Sequence, residues 1–167
     1  MSKSPVIILG IDPGLATTGF GVISYADKTL TYKECGAIVT KKTIRLPQRL
    51  YMINTAIRAL VRKYNPDVVV VEQLFFAKNA KTAFAVGQAR GVALLALVKS
   101  RARIAEYSPL QVKQTVTGYG KADKRQVQQM VRRILKLREL PRPDDASDAL
   151  AAAICWVYME GRKKHYD

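Results

Sequence analysis

Residues 6–14 read Val6-Ile7-Ile8-Leu9-Gly10-Ile11-Asp12-Pro13-Gly14. A short run of apolar residues, most of them β-branched, is typical of a strand buried on both faces of a sheet. The Asp-Pro-Gly sequence that follows is a turn signal and ends the strand at an acidic side chain. We therefore predict a central strand of an α/β sheet with Asp12 at its carboxyl end.

The segments after this strand change between strand-like and helix-like periods. The pattern predicts strands at 19–25, 29–39, 67–72 and 104–107. It predicts a helix that begins at Leu46 and is stopped by Asn65-Pro66, further helices at 80–99, 124–137 and about 144–160, and a helical turn at 109–116. The first three strands are short-linked and antiparallel, and a strand that follows a crossover helix lies parallel to the first strand. The order βββαβαβαα predicts a mixed five-stranded sheet with helices on both faces.

Composition and charge indicate one globular domain with a polyanionic partner. The 167 residues are 49% apolar and 25% charged, which excludes a disordered or membrane-spanning chain and suits a single domain over 1–167. The formal net charge is +15, and residues 99–138 carry nine of those charges. A solvated basic surface or an anionic membrane surface could explain such an excess, but its clustering favours a nucleic acid.

The cysteines and the amino terminus favour the cytoplasm. Cys35 and Cys155 lie far apart in sequence and belong to no metal-binding pattern, so we predict buried free thiols in a reducing compartment. The apolar stretch near residue 6 is too short for a secretion signal, and the apolar run 149–159 is too short to span a membrane. We expect no membrane association.

Four carboxylates are placed where they could form one site. Asp12 and Glu72 each end a buried strand, and the two strands are predicted neighbours whose carboxyl ends share one edge of the sheet. Asp145 and Asp148 are three residues apart at the start of the last helix and share one of its faces. Converged carboxylates need a cation, and hard oxygen ligands suit Mg²⁺ or Mn²⁺.

Each carboxylate also has a structural explanation that the sequence leaves open. Asp12 could simply begin the Asp-Pro-Gly turn, Glu72 could face solvent at a strand end, and Asp144 or Asp145 could cap the last helix. The sequence contains one histidine, His165, so a zinc site or a histidine general base is not expected. The sequence around Gly10 is neither a P-loop nor a dinucleotide-binding fingerprint.

Several motifs in order make the chain resemble the RuvC family of bacterial Holliday-junction resolvases over residues 5–158. They are Gly10-Ile11-Asp12-Pro13-Gly14 with Thr18-Gly19-Phe20-Gly21, Glu72-Gln73-Leu74-Phe75-Phe76-Ala77-Lys78-Asn79, Gly87-Gln88-Ala89-Arg90-Gly91, Gln111-Val112-Lys113-Gln114 and Asp145-Ala146-Ser147-Asp148-Ala149-Leu150. The resemblance implies a ribonuclease-H-like fold and a homodimer that nicks two opposed strands of a four-way DNA junction, with RuvA and RuvB as branch-migration partners.

The resemblance also implies roles for individual residues. Asp12, Glu72, Asp145 and Asp148 match the family's metal-binding carboxylates, holding two Mg²⁺ ions that Mn²⁺ could replace; Asp144 leaves open which aspartate of the pair binds metal. Lys113 and Lys124 match basic residues near the scissile phosphate. Phe75 matches an aromatic residue that stacks on bases near the junction centre, where stacking contributes about 1 to 3 kcal/mol per base. We predict DNA contacts from Phe75, Lys78, Lys113, Lys121 and Lys124.

The long helix at 80–99 is apolar over most of its circumference, which predicts that one face packs on the sheet and another on a second subunit. Burial within one domain is the alternative.

For the whole chain, the alternatives to a junction nuclease are a module of the same fold that binds branched nucleic acid without cutting, and a sugar-kinase or actin-like phosphotransferase. The chain is too short for the two lobes of the latter. We expect residues 161–167 to form a mobile tail.

Overall fold

The computed structural model describes residues 4–73 and 80–161. The five strands are β1 (Val6–Asp12), β2 (Thr17–Ala26), β3 (Thr29–Val39), β4 (Val68–Glu72) and β5 (Arg103–Tyr107). The five α-helices are α1 (Leu46–Tyr64), α2 (Ala80–Leu97), α3 (Pro109–Thr117), α4 (Lys124–Ile134) and α5 (Asp144–Trp156). A π-helical stretch, Val157–Gly161, continues α5.

The strands form one mixed sheet in the order β3-β2-β1-β4-β5. β2 pairs antiparallel with both β1 and β3, whereas β4 pairs parallel with β1 and with β5. The carboxyl ends of β1, β3, β4 and β5 therefore meet at the same edge, which we call the carboxyl edge. The predicted five-stranded mixed sheet is confirmed.

The central strands are buried on both faces, as their continuous apolar sequences predict. Ile8, Val68 and Val70 pack on one face against α3, α4 and α5, whereas Leu9, Val69 and their neighbours pack on the other face against α1 and α2. Helices on both faces are thus confirmed. None of the helices within 4–73 and 80–161 has the length and apolar character needed to cross a membrane.

The helical segment predicted at 109–116 is confirmed as α3, so three helices follow β5 where the predicted order counted two. Capping at both ends makes this segment a regular helix. The Ser108 side chain accepts a hydrogen bond from the Gln111 backbone N–H while the Gln111 side chain accepts one from the Ser108 N–H, which satisfies two exposed donors. Pro109 suits the first turn, and Gly118 ends the helix in the left-handed region at φ 78°.

Other boundaries shift by a few residues. α4 ends at Ile134 because Lys136 turns the backbone left-handed at φ 54°. The last helix changes to π geometry at Val157, and Gly161 is buried within that stretch, so it does not belong to the predicted tail. The rest of that tail, 162–167, lies outside the described residues. Both cysteines are free thiols, but Cys35 is only half-buried because it lies on the edge strand β3.

Candidate active site

Asp12 and Glu72 lie side by side at the carboxyl edge. The register of the parallel pair matches Ile11 of β1 with Val71 of β4, so the next residue of each strand falls on adjacent positions about 4.8 Å apart. Each carboxyl group is held by a strand whose preceding residues are fully buried. The backbone that positions the two acids is therefore anchored in the core.

The close approach of α5 to the sheet brings a second pair of acids to this edge. A Cβ atom added to Gly19 of β2 would lie 2.0 Å from the Asp145 carbonyl oxygen, and one added to Gly10 would lie 1.9 Å from that of Ala149. At Gly21 a Cβ would lie 2.6 Å from Cγ of Leu150. These three glycines form a groove, the glycine groove, that accepts the α5 backbone. Without it the helix would lie farther from Asp12.

One cavity of about 260 Å³ contains three of the four predicted acids. It is lined by Asp12, Glu72, Asp148, Lys113, Lys124, Pro109, Val112, Val127 and Ala151. Asp145 lines a neighbouring cavity of about 570 Å³ together with Asp144, Gln128 and residues 140–143. The prediction that all four carboxylates converge is therefore realised most closely by Asp12, Glu72 and Asp148, with Asp145 at the margin.

Burial and mutual repulsion favour protonation of Asp12 and Glu72. Burial is the main cause that raises the pKa of Asp12, followed by the charges of Asp148 and Asp145. Burial also raises the pKa of Glu72, followed by the charge of Asp12, while Lys113 opposes the shift. Neighbouring acidic charges therefore add to burial in raising the pKa of both Asp12 and Glu72.

Lys124 is the cation that contacts the acids of α5. Its ammonium lies 3.2 Å from Oδ2 of Asp148 and 3.7 Å from Oδ2 of Asp144. Burial raises the pKa of Asp148, and Lys124 works against that rise. For Lys124 itself burial lowers the pKa, but the charges of Asp148 and Asp144 outweigh it and raise the pKa overall. The lysine therefore stays charged at the mouth of the cavity.

Asp144 has a partner that sequence reasoning missed. The side-chain amide of Gln128 in α4 donates a hydrogen bond of 2.9 Å to Oδ1 of Asp144. Gln128 is only 9% exposed, beside the buried Val127 on a helix face that otherwise packs into the core. A polar residue on an apolar face is the one signal that could have indicated this contact. Asp144 thus contacts Gln128 and Lys124.

The remaining predicted DNA-contact residues fall in different places. Lys113 is half-buried in α3 and reaches the cavity, whereas Lys121 is exposed in the turn between α3 and α4 and does not line it. Phe75 and Lys78 lie outside the described residues. The structure therefore brings Lys113 and Lys124 to the acids.

Comparison with known proteins identifies the family. A family model described as crossover junction endodeoxyribonuclease RuvC matches residues 8–156. The chain belongs to the RuvC family. The RuvC relatives from Rubrobacter xylanophilus and Alkaliphilus oremlandii are each 52% identical to it, over 94% and 92% of this chain and 88% and 93% of their own lengths.

Solved RuvC structures share the whole architecture. Thermus thermophilus RuvC matches with a TM-score of 0.85 and 31% identity over 95% of this chain and 97% of its own. The same protein in complex with a Holliday junction substrate matches with a TM-score of 0.86 and 32% identity over 92% of this chain and 93% of its own. The yeast mitochondrial resolvase Ydc2, at 15% identity and a TM-score of 0.67, shares the fold. The predicted ribonuclease-H-like fold is confirmed.

Membership of the RuvC family implies the use of a divalent cation, and the residues of this site fit one. The donors that face the cavity are carboxylate oxygens, the ligands preferred by hard divalent ions. Burial, followed by the neighbouring carboxylates, raises the pKa values of Asp12 and Glu72, and a bound cation would stabilise their ionised forms. Within 4–73 and 80–161, no three His, Cys, Asp or Glu side chains already enclose a single metal position. The carboxylates are thus gathered at one edge without being closed around one point.

Proposed function

We propose that the chain resolves four-way DNA junctions by paired symmetric nicks, with hydrolysis at Asp12, Glu72, Asp145 and Asp148. As a RuvC-family member it is a crossover junction endodeoxyribonuclease, a hydrolase of phosphodiester bonds in recombination and repair. The observation that carries the assignment of the site is the meeting of three carboxylates and two lysines in one cavity at the carboxyl edge.

The four carboxylates would hold two Mg²⁺ ions, with Mn²⁺ as a possible substitute. Such ions, when bound, polarise a phosphate, activate water and stabilise the leaving oxygen. The buried strand ends fix Asp12 and Glu72, so these ligands require little reorganisation. Lys113 and Lys124, which line the same cavity, orient the scissile phosphate and compensate the negative charge that develops as the bond breaks.

DNA contacts outside the cavity are proposed for Phe75, Lys78 and Lys121. Lys121 is exposed beside the site, where it can meet a phosphate without entering the cavity. Phe75 and Lys78 are assigned by resemblance to the family. The aromatic ring would stack on an unpaired base, and the lysine would contact the backbone.

A homodimer is proposed through the exposed face of α2. Phe84, Gln88, Gly91 and Leu95 are all exposed, and their spacing of four, three and four residues places them in one stripe along the helix, while Val98 is exposed directly after its end. Phe84, Leu95 and Val98 are 77%, 65% and 71% exposed. A two-fold dimer that covers this stripe would present two sites to opposed strands of one junction.

The remaining assignments rest on the same family membership. We propose RuvA and RuvB as partners, one nuclease domain over 1–167, and a cytoplasmic location. The two unpaired cysteines agree with a reducing compartment.

The proposal is tested by cleavage of labelled mobile four-way junctions in Mg²⁺ or in EDTA, with linear duplex as the control substrate. The wild-type chain should make paired nicks in junctions only when metal is present. Asp12→Asn should bind junctions at least as tightly, because a negative charge beside phosphate is removed, and should not cut. Retained cutting by Asp12→Asn would refute the site. Junction binding without cutting by the wild-type chain would favour the non-catalytic binding module.

A further inference from the structure

A second basic segment lies between Cys35 and Pro66. This stretch contains seven Lys and Arg residues and no acidic residue. Together with residues 99–138 it accounts for the whole positive excess of the chain. Three of its basic residues, Lys41, Lys42 and Arg45, lie in the loop that joins β3 to α1, and all three are exposed. We call residues 40–45 the basic loop.

The sheet topology places the basic loop at the carboxyl edge. β3 ends at this edge together with β1 and β4, which carry Asp12 and Glu72. The basic loop follows β3 at one side of the sheet, and α3 with Lys113 follows β5 at the other side. The catalytic carboxylates, on the central strands, are therefore flanked by basic residues on both sides.

Hydrogen bonds hold the basic loop against the turn that follows Asp12. The Thr40 backbone N–H donates to the Ala16 carbonyl oxygen at 2.9 Å. The Arg49 guanidinium in α1 donates to Thr40 Oγ1 at 2.8 Å, to the Thr40 carbonyl at 3.3 Å and to the Leu15 carbonyl at 3.2 Å. The Ile44 N–H closes a turn on the Lys41 carbonyl at 3.1 Å. The backbone of the basic loop is thus fixed relative to the active site.

The positive charges of the basic loop form no ion pairs within the described residues. None of the ion pairs found in 4–73 and 80–161 involves Lys41, Lys42 or Arg45, and the first turn of α1 contains no acidic residue. By contrast, Lys63 near the other end of α1 pairs with Glu34. Three unpaired positive charges at a fixed place beside a nuclease site are suited to a polyanion.

A DNA duplex that lies across the carboxyl edge would reach this loop. Five strands at about 4.8 Å spacing span roughly 20 Å. A duplex segment of that length carries about a dozen phosphate charges, at one per 1.7 Å of axis. Lys113, Lys121 and Lys124 lie toward the β5 side of the sheet and can contact only some of these phosphates.

We infer that the basic loop binds the phosphate backbone of one junction arm, on the side of the active site opposite to α3 and α4. This inference rests on the proposed function, because it names a second DNA contact surface for the same reaction. The contacts are to phosphates, so they position the arm and carry no base specificity. Arg49 acts as a positioning residue that holds the basic loop in place.

The test compares two double variants that each remove two positive charges, one in the basic loop before α1 and the other near the carboxyl end of α1. Lys41→Ala/Lys42→Ala removes two charges of the basic loop. Arg58→Ala/Arg62→Ala removes two exposed charges near the carboxyl end of α1, away from the carboxyl edge. Arg45 is left unchanged because it directly precedes α1. Junction affinity is measured against salt for both variants and the wild type, in Ca²⁺ or EDTA to prevent cutting.

The slope of log K against log salt should fall in magnitude by up to about 2 in Lys41→Ala/Lys42→Ala, at about 0.9 per lost phosphate contact. A fourfold rise in salt would then cost that variant about 12-fold less affinity than it costs the wild type. Arg58→Ala/Arg62→Ala should keep the wild-type slope. Equal changes in both variants, or none in either, would overturn the inference. Wild-type cutting of the same junction in Mg²⁺ would show that the proposed function stands even then.

Discussion

At the scale of single residues, protons and metal cations compete for the carboxyl groups of Asp12 and Glu72. Both residues are half-buried at the carboxyl edge, and burial together with the neighbouring acidic charges raises the pKa of each. A half-buried pair of this kind binds protons when no other cation neutralises it. The same burial and acidic neighbours that raise the pKa values of the two groups therefore favour binding of a divalent cation to their ionised forms.

This competition predicts how stability depends on pH in EDTA. Because the folded pKa values of Asp12 and Glu72 lie above the ordinary carboxyl value of about 4, the folded state binds more protons than the unfolded state above that pH. The Tm should therefore fall as the pH rises from about 5 to about 8. Mg²⁺ should raise the Tm most at the upper end, since the ion binds the folded carboxylates.

Differential scanning fluorimetry on three chains would check this expectation. Asp12→Asn should show a weaker fall in Tm with pH and a smaller gain from Mg²⁺. Glu139→Gln, which changes an exposed acid outside the site, should behave as the wild type does. If Asp12→Asn and the wild type lose the same Tm over this range, the buried pair is not the cause.

At the scale of elements, the position of α5 depends on the glycine groove. Gly19 touches the Asp145 backbone so closely that a methyl group has no space, and the neighbouring atoms belong to helix backbone that cannot rotate away. Gly36, on β3, differs in this respect. A Cβ there would meet the ring of Phe20 at 2.9 Å and would not touch α5.

We predict that Gly19→Ala separates the two acid pairs. Overpacking should lower the free energy of unfolding by about 1 to 3 kcal/mol. Single-turnover cleavage by the folded variant should fall by about 100-fold, since displacements of about 1 Å have effects of that size. Urea unfolding and cleavage at saturating protein measure the two effects. Gly36→Ala should lose stability and keep its cleavage rate; a parallel loss of cleavage in both variants would contradict this role for the groove.

The sequence predicts the strands and the Asp12–Glu72 pair because both depend on local patterns. An apolar run that ends in an acid identifies each strand end, and the parallel crossover rule makes the two ends neighbours. The weak apolar pattern of 109–116 predicts only a helical turn, and the capping residues Ser108 and Gln111 make this segment the regular helix α3. The Gln128–Asp144 contact and the marginal place of Asp145 depend on how α4 and α5 are rotated against each other. Sequence periodicity does not specify that rotation.

At the scale of the whole molecule, α1 and α2 lie on the face of the sheet opposite to α5. The exposed stripe of α2 therefore lies on the opposite side of the sheet from the helices that contribute Lys113, Lys124 and Asp148. A second subunit can cover it without obstructing either active site. Gly91, whose added Cβ would meet nothing within 4 Å, lies at the middle of the stripe, where two helices could approach closely.

Leu95→Glu should therefore convert the chain to a monomer, because a charge would be buried at the centre of an apolar interface. Sedimentation velocity at micromolar concentration measures this directly. Leu110→Glu is the matched control, since Leu110 is 60% exposed in α3 on the other face of the sheet. The control should remain dimeric. A wild-type chain that sediments as a monomer would remove the dimer proposal.

The order of the elements along the chain has a consequence for biosynthesis. Asp12 and Glu72 lie in the first half of the sequence, whereas Asp145 and Asp148 belong to α5, the last α-helix of the described chain. A ribosome releases that helix only after the rest of the sheet has been made. A nascent chain can thus assemble its DNA-facing strands while half of the acids are still missing. The carboxyl edge thus acquires the acids of α5 only after all five strands have been made.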